Sequence, residues 1–87
     1  MIFLQTTILF DSSVINEELT KEILKEVYTD LEEHGYNAIK QITGYLISGD
    51  PGYISSYKEC RSKIQKIDRN CLIELMLNNF LKWDILE

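Results

Sequence analysis

An 87-residue chain is one small domain, and a core of that size buries only about two thirds of its unfolded surface, which favours self-association as a way to cover more. A composition of 45% apolar and 26% charged residues excludes bulk disorder, and the net charge of −5 sets the whole molecule against non-specific binding to nucleic acid or anionic membrane. Two cysteines without CxxC spacing point to reduced thiols in a cytoplasm rather than a disulfide framework.

The opening "MIFLQTTILF" is ten residues of mostly apolar character, without the basic flank or the small-residue site of a signal peptide, and no apolar run reaches membrane-spanning length. Residues 1–12 are expected to form an N-terminal segment ahead of a single helical domain over 13–87. Thr6 and Thr7 lie in that segment, near Asp11. On residue type alone, β-branched threonines in an apolar stretch also suit a short strand or a packed interface.

The segment "VINEELTKEILKEVYTDLEEHGYN" predicts a helix, because Ile15, Leu19, Ile23, Val27 and Leu31 recur every four residues, with Leu24 and Tyr28 widening the stripe. Ser13 or Asn16 suits its N-cap, Glu17 and Glu18 suit its positive end, and Gly35 suits a left-handed close. A second helix is expected from Asn37, with Ile39, Ile42, Tyr45 and Leu46 on its buried face. Gly44 weakens that helix by roughly 1 kcal/mol relative to alanine, which implies a close approach by another element.

"SGDPG" ends the second helix. Gly49 stands where a C-terminal glycine belongs, Asp50 is a good N-cap, and Pro51 fits the first position of the turn that follows. The stretch "GYLISGDPGY" lacks GxGxxG and GxxxxGK[ST] and places an aspartate where a phosphate would need a donor, so Gly49, Asp50 and Pro51 read as a helix connector rather than a phosphate cradle. Beyond it, Ser56 with Glu59 suggests a capping box for a helix carrying Tyr57, Ile64 and Ile67. Asp68 is the expected cap of a last helix whose buried face uses Leu72, Ile73, Met76, Leu77, Phe80 and Trp83. The fold class is all-α, with four to five helices, and a homodimer is favoured.

Lys58, Arg61, Lys63, Lys66 and Arg69 supply five of the nine basic residues within twelve positions, against Glu59 and Asp68 alone. On one continuous helix Lys58, Arg61 and Arg69 would share a face with Gln65, with Lys66 beside them. Two readings stand: a basic stripe for an acidic partner or the protein's own phosphothreonine, or a solvated face that balances the acidic first helix. No glycine-rich or aromatic-interleaved nucleic-acid motif accompanies it. His34 has no second histidine or nearby cysteine, so it is neither half of a metal site nor a general base with a partner, and no cofactor is expected. Tyr36, Tyr45, Tyr53 and Tyr57 are expected to pack around the connector, and Cys60 and Cys71 to act as small, partly buried apolar residues.

The string "HGYNAIKQITGYLISGDPGYISSYKECRSKIQKIDR" resembles the central block of the IreB family of regulatory phosphoproteins, whose members carry a GYNPxxQIxGYLLSGDPAYIPxxxxAR pattern. Gly35, Tyr36, Asn37, Gln41, Ile42, Gly44, Tyr45, Ser48, Gly49, Asp50, Pro51, Tyr53, Ile54 and Arg61 fall in register without a gap. The chain departs from the pattern at Ala38, Ser55 and Ser56, where the family has proline, proline and a basic residue. The resemblance implies a small, cytoplasmic, dimeric, non-enzymatic regulator. It implies that residues 1–12 are a flexible segment and that Thr7, with Thr6 beside it, is phosphorylated there by a membrane Ser/Thr kinase and dephosphorylated by a phosphatase. It further implies control of peptidoglycan precursor supply through Clp-protease turnover of an enolpyruvyl transferase, and hence cell-wall antibiotic tolerance. Lys58, Arg61, Lys66 and Arg69 are the partner-binding candidates. The alternative from a different class is a helical dimeric interaction module without phospho-control.

Overall fold

The computed structural model describes residues 12–86 and, within them, the side chains of 17–82. The described residues are all-α: α1 spans Ser12–Glu33, α2 Ala38–Ser48, α3 Cys60–Ile64 and α4 Arg69–Leu86. Two single 3₁₀ turns, Pro51–Tyr53 and Tyr57–Glu59, fill the connection between α2 and α3. Thr6, Thr7 and the rest of residues 1–11 lie outside the described residues.

The first helix ends as its glycine dictates. Gly35 adopts φ +87°, and the amide of Tyr36 reaches back to donate to the carbonyl of Leu31 at 2.9 Å while that of Gly35 donates to Glu32 at 3.0 Å. Closing bonds of this kind satisfy carbonyls that the helix leaves without partners. Asn37 then opens α2, its Oδ1 accepting from the Lys40 amide at 3.0 Å. Ala38 follows, and its N–H, which a proline would lack, donates to Glu32 Oε2 at 3.2 Å. The chain thus supplies an acceptor where the family pattern supplies a residue with nothing to donate.

The core is small and draws on every segment. Val27 and Leu31 of α1, Ala38, Ile42 and Tyr45 of α2, Ile54 of the connection, Cys60 and Ile64 of α3, Ile67, and Leu72 of α4 are buried together. Burial of a side chain such as Leu31 or Ile64 is worth about 1.5–3 kcal/mol. This is what allows α3, with only five residues, to be helical, since a helix that short has no independent stability.

Three elements differ from expectation. Ile39, placed on the buried face of α2 by its spacing, is exposed, and Ala38 one position earlier is fully buried. Ile42, Tyr45 and Leu46 face inward as expected, so the helix is rolled by only about 40° relative to the expected register, toward the side on which Ile54 packs. Second, no capping box forms at Ser56. The adjacent Ser55 hydroxyl accepts from the Tyr57 amide at 3.1 Å instead, and Lys58 and Glu59 follow with φ of +48° and +59°. Two successive left-handed residues break the expected long helix into a turn and the short α3. Third, the apolar face of α4 is not inside this chain. Leu72 is buried and Ile73 half-buried, but Met76, Leu77, Phe80 and Leu81 are exposed, since no other described element flanks the outer part of the helix. The side chain of Trp83 lies outside the described residues.

The connector after α2 forms as expected. Gly49 takes φ +78° and its N–H donates to the Tyr45 carbonyl at 2.7 Å; Asp50 Oδ1 accepts from the Gly52 amide at 2.8 Å; Pro51 begins the turn. Gly44 has its reason too. The ring of Tyr53 lies where a side chain would go, 2.6 Å from an added Cβ. At Gly49 an added Cβ would stand 2.8 Å from Arg69 Nη2. Gly49→Val therefore combines left-handed strain with displacement of Arg69, and is expected to cost about 2–3 kcal/mol, a melting temperature lower by roughly 10 °C or more. A thermal melt within a degree of wild type would show that residue 49 does not hold this cap.

Candidate regulatory surface

The basic run between Lys58 and Arg69 is distributed over a turn, α3 and the start of α4, and its members have different occupations. Lys63 lies between two acids of α1, its Nζ 2.7 Å from Glu26 Oε2 and 3.1 Å from Asp30 Oδ2. Lys58 reaches Glu33 Oε1 at 3.0 Å and stands 4.0 Å from Asp30 Oδ1. Glu26, Asp30 and Glu33 are spaced by four and three residues, which puts them on one helix face, and the two lysines close that face against the α3 side of the molecule. Asp30 is the inner member, with a side chain only 12% exposed.

The two arginines hold main chain. Arg61 Nε donates to the Ile54 carbonyl at 2.9 Å, and Arg69 Nη1 to the Leu46 carbonyl at 2.8 Å. Arg69 thereby places a cation at the C-terminal end of α2, where the helix dipole favours one. Lys66 is exposed and forms no ion pair among the described residues. The structure therefore does not gather Lys58, Arg61, Lys66 and Arg69 into one helical stripe: two successive left-handed residues interrupt the helix, and the end of α3 intervenes before Arg69. What remains outward is Lys66, together with the guanidinium groups of Arg61 and Arg69 beyond the single bond each donates.

The aromatic residues form two sets rather than one cluster around the connector. Tyr45 is in the core and Tyr53 covers Gly44, while His34 stacks on Tyr57 with ring centroids 4.0 Å apart and planes at 21°. Tyr36 lies at 5.4 Å from His34, tilted by 40°. His34 thus seats the turn that begins α3 against the end of α1. Among the described residues no group of three His, Cys, Asp or Glu side chains is arranged to hold a metal ion. Cys60 is buried with its Sγ 3.9 Å from the Val27 carbonyl, whereas Cys71, expected to be partly buried, is exposed beside Asp68.

Residue types alone do not signal three further features. Gln41 Oε1 accepts from the Ser55 amide at 2.9 Å and ties the connection to α2. Asp30 is buried although Glu26 and Glu33, the other acids of its face, are exposed, and its position between them was the available signal. An open groove of about 520 Å³ lies between α1 and α2 beside the middle of α4, lined by Leu24, Tyr28, Ile39, Ile42, Leu46 and Met76.

The architecture agrees with a match over nearly the whole chain: the family model described as the IreB regulatory phosphoprotein covers residues 5–82. The chain belongs to the IreB family. The matched region runs from the N-terminal threonines through the Asn37 cap, the Gly49-Asp50-Pro51 connector and the basic run into α4, so the resemblance of the central block extends to the chain as a whole. A regulatory role follows from this membership. Among the described residues of this IreB-family protein, no helix is long and apolar enough to cross a membrane.

The lysine and thiol environments give the fold an alkaline limit. Hydrogen bonding to Glu26, and then to Asp30, raises the Lys63 ammonium above its ordinary value of 10.5 against an opposing effect of burial. Burial first, and the nearby Asp30 charge second, raise the Cys60 thiol above 9.0. A raised folded-state value stabilises the fold below the unfolded value and loses that contribution as pH rises through the folded one. The melting temperature is expected to fall as pH passes about 9 and to fall further beyond about 10.5, and Lys63→Met should flatten the second part of the decline. Scanning calorimetry between pH 7 and 11 reads both; a melting temperature that rises across this range would contradict the assignment.

Proposed function

We propose that this protein is a non-enzymatic, cytoplasmic regulator that carries its signal as phosphate on Thr7. The observation that carries this reading is the family match across residues 5–82, which includes both Thr6 and Thr7. A membrane Ser/Thr kinase adds the phosphate and a phosphatase removes it. The phosphorylation state sets peptidoglycan precursor supply by governing Clp-protease turnover of an enolpyruvyl transferase, and with it tolerance to cell-wall antibiotics. A dianionic group outside the helical domain changes what that domain binds without having to change how it folds. Phosphatase-sensitive intact mass of the native protein, followed by site mapping, is expected to give one phosphate on Thr7. Thr7→Ala should remove it and fix the transferase half-life at one value whatever the kinase activity. A native protein that never carries phosphate would remove the basis for this reading and leave an interaction module.

The same reading includes a homodimer. Leu77, Phe80 and Leu81 extend along α4 at three- and four-residue spacing and are 53%, 69% and 49% exposed, in a helix of 18 residues that is about 27 Å long. A protruding apolar stripe of this kind fits a two-fold pairing with its own copy, in which each stripe covers the other. Light scattering at micromolar concentration should return twice the 10.2 kDa chain mass, and Phe80→Lys should return it to the monomer mass. A monodisperse wild-type monomer would refute the dimer.

A further inference from the structure

The groove between α1 and α2 adjoins the apolar face of α4 at Met76 and has no use in the reading above. Leu24, Tyr28, Ile39, Leu46 and Met76 surround it, with Ile42 at its floor, and Ile39 is 61% exposed. Apolar side chains from three helices that converge on one concave surface mark a place that something covers.

The chain carries a segment suited to that purpose. Residues 2–10 read IFLQTTILF: six apolar residues, one glutamine, two threonines and no charge. The segment joins α1 at Ser12, and Leu24 lies twelve residues farther along that helix, about 18 Å away. Nine residues in extended form span up to about 30 Å, so the segment is long enough to turn back along α1 and occupy the groove. Ile8, Leu9 and Phe10 supply the apolar side chains, and Thr7 comes immediately before them.

We infer that residues 2–10 dock in the α1/α2 groove of their own chain and that phosphate on Thr7 releases them; the release rests on the phosphothreonine reading, whereas the docking does not. A group carrying about −1.5 to −2 charge strongly resists transfer from water onto an apolar surface. Lys25 is the one charged residue of the groove wall and it is exposed, so its attraction for the phosphate is screened by solvent. Release exposes Ile39 and Met76 to a partner with an apolar helix or strand of its own. The phosphate therefore acts by uncovering a surface.

The chain has two methionines, so the methyl signal of Met76 is a resolved reporter inside the groove. The experiment uses the full chain with ¹³C-methyl methionine, Gln5→Cys to carry a nitroxide and Cys71→Ser to leave the buried Cys60 as the only other thiol. In unphosphorylated protein the nitroxide should bleach the Met76 methyl signal, and reduction of the label should restore it. Ile39→Lys, at an exposed position, should prevent the bleaching without loss of the fold, as should Ile8→Ser with Leu9→Ser and Phe10→Ser. A full-strength Met76 signal in the unphosphorylated chain would overturn the docking. So would bleaching seen when label and ¹³C are on different copies, since the groove then holds a second molecule. Phosphorylation of Thr7, verified by mass, should restore the signal; bleaching that persists overturns the release while the phosphothreonine stands. Absence of phosphate from the native protein overturns the release through the other premise, and the docking is still decided by the unmodified chain.

Discussion

Arg69 ends one helix and begins another. Its guanidinium lies on the Leu46 carbonyl at the C-terminal end of α2, over a residue that has no side chain to keep it away, and its own backbone is the first of α4. The carbonyls at a helix end lack partners and carry the negative end of the dipole, so a cation with planar donors suits the position better than a water molecule or a lysine. Because Gly49 already needs a positive φ to close α2, one glycine serves both the cap and the approach of Arg69. The starting point of α4 follows from this contact, and Leu72 then secures it in the core.

The same economy explains why an acidic protein concentrates its basic residues in one short stretch. Four of the five are committed to the fold: two lysines against Glu26, Asp30 and Glu33, and two arginines against backbone carbonyls of the segment that precedes them. The run therefore leaves less free positive charge than the sequence suggests, with Lys66 as the cation that has no ion pair among the described residues, while the α1/α2 groove and the outer face of α4 expose apolar side chains. Removal of Arg61 would disturb the loop it holds as well as any contact it makes, which complicates a simple reading of that residue as a docking cation.

Features set by neighbours in sequence are legible in the sequence, and those set by distant partners are not. The close of α1 at Gly35, the cap at Asn37 and the Gly49-Asp50-Pro51 connector each depend on a few adjacent residues with specific backbone preferences, and each is found as expected. Ile39 misleads because spacing defines a stripe but not its rotation, which Ile54 and Tyr53 fix from the connection. Met76, Leu77 and Phe80 mislead for another reason: periodicity shows that a face is apolar without showing which molecule covers it. The basic run is compact in sequence and divided in space, since Lys58 and Glu59 adopt conformations that residue type does not announce. Asp30 was the most recoverable of the missed residues, being the middle of three acids spaced for two lysines.

The shortness of α3 has a consequence for how the molecule assembles. Its buried side chains, Cys60 and Ile64, meet residues of α1 that lie some thirty positions earlier, and the Cys60 thiol points at a carbonyl 33 residues away. Five residues cannot nucleate a helix by themselves, whereas the 22 residues of α1 can form turns early and wait. The loop must therefore close before α3 is helical, and the two left-handed residues ahead of it are settled only in that same event. The helix and the contact with α1 are thus one cooperative unit: whatever loosens that contact also unwinds the basic segment.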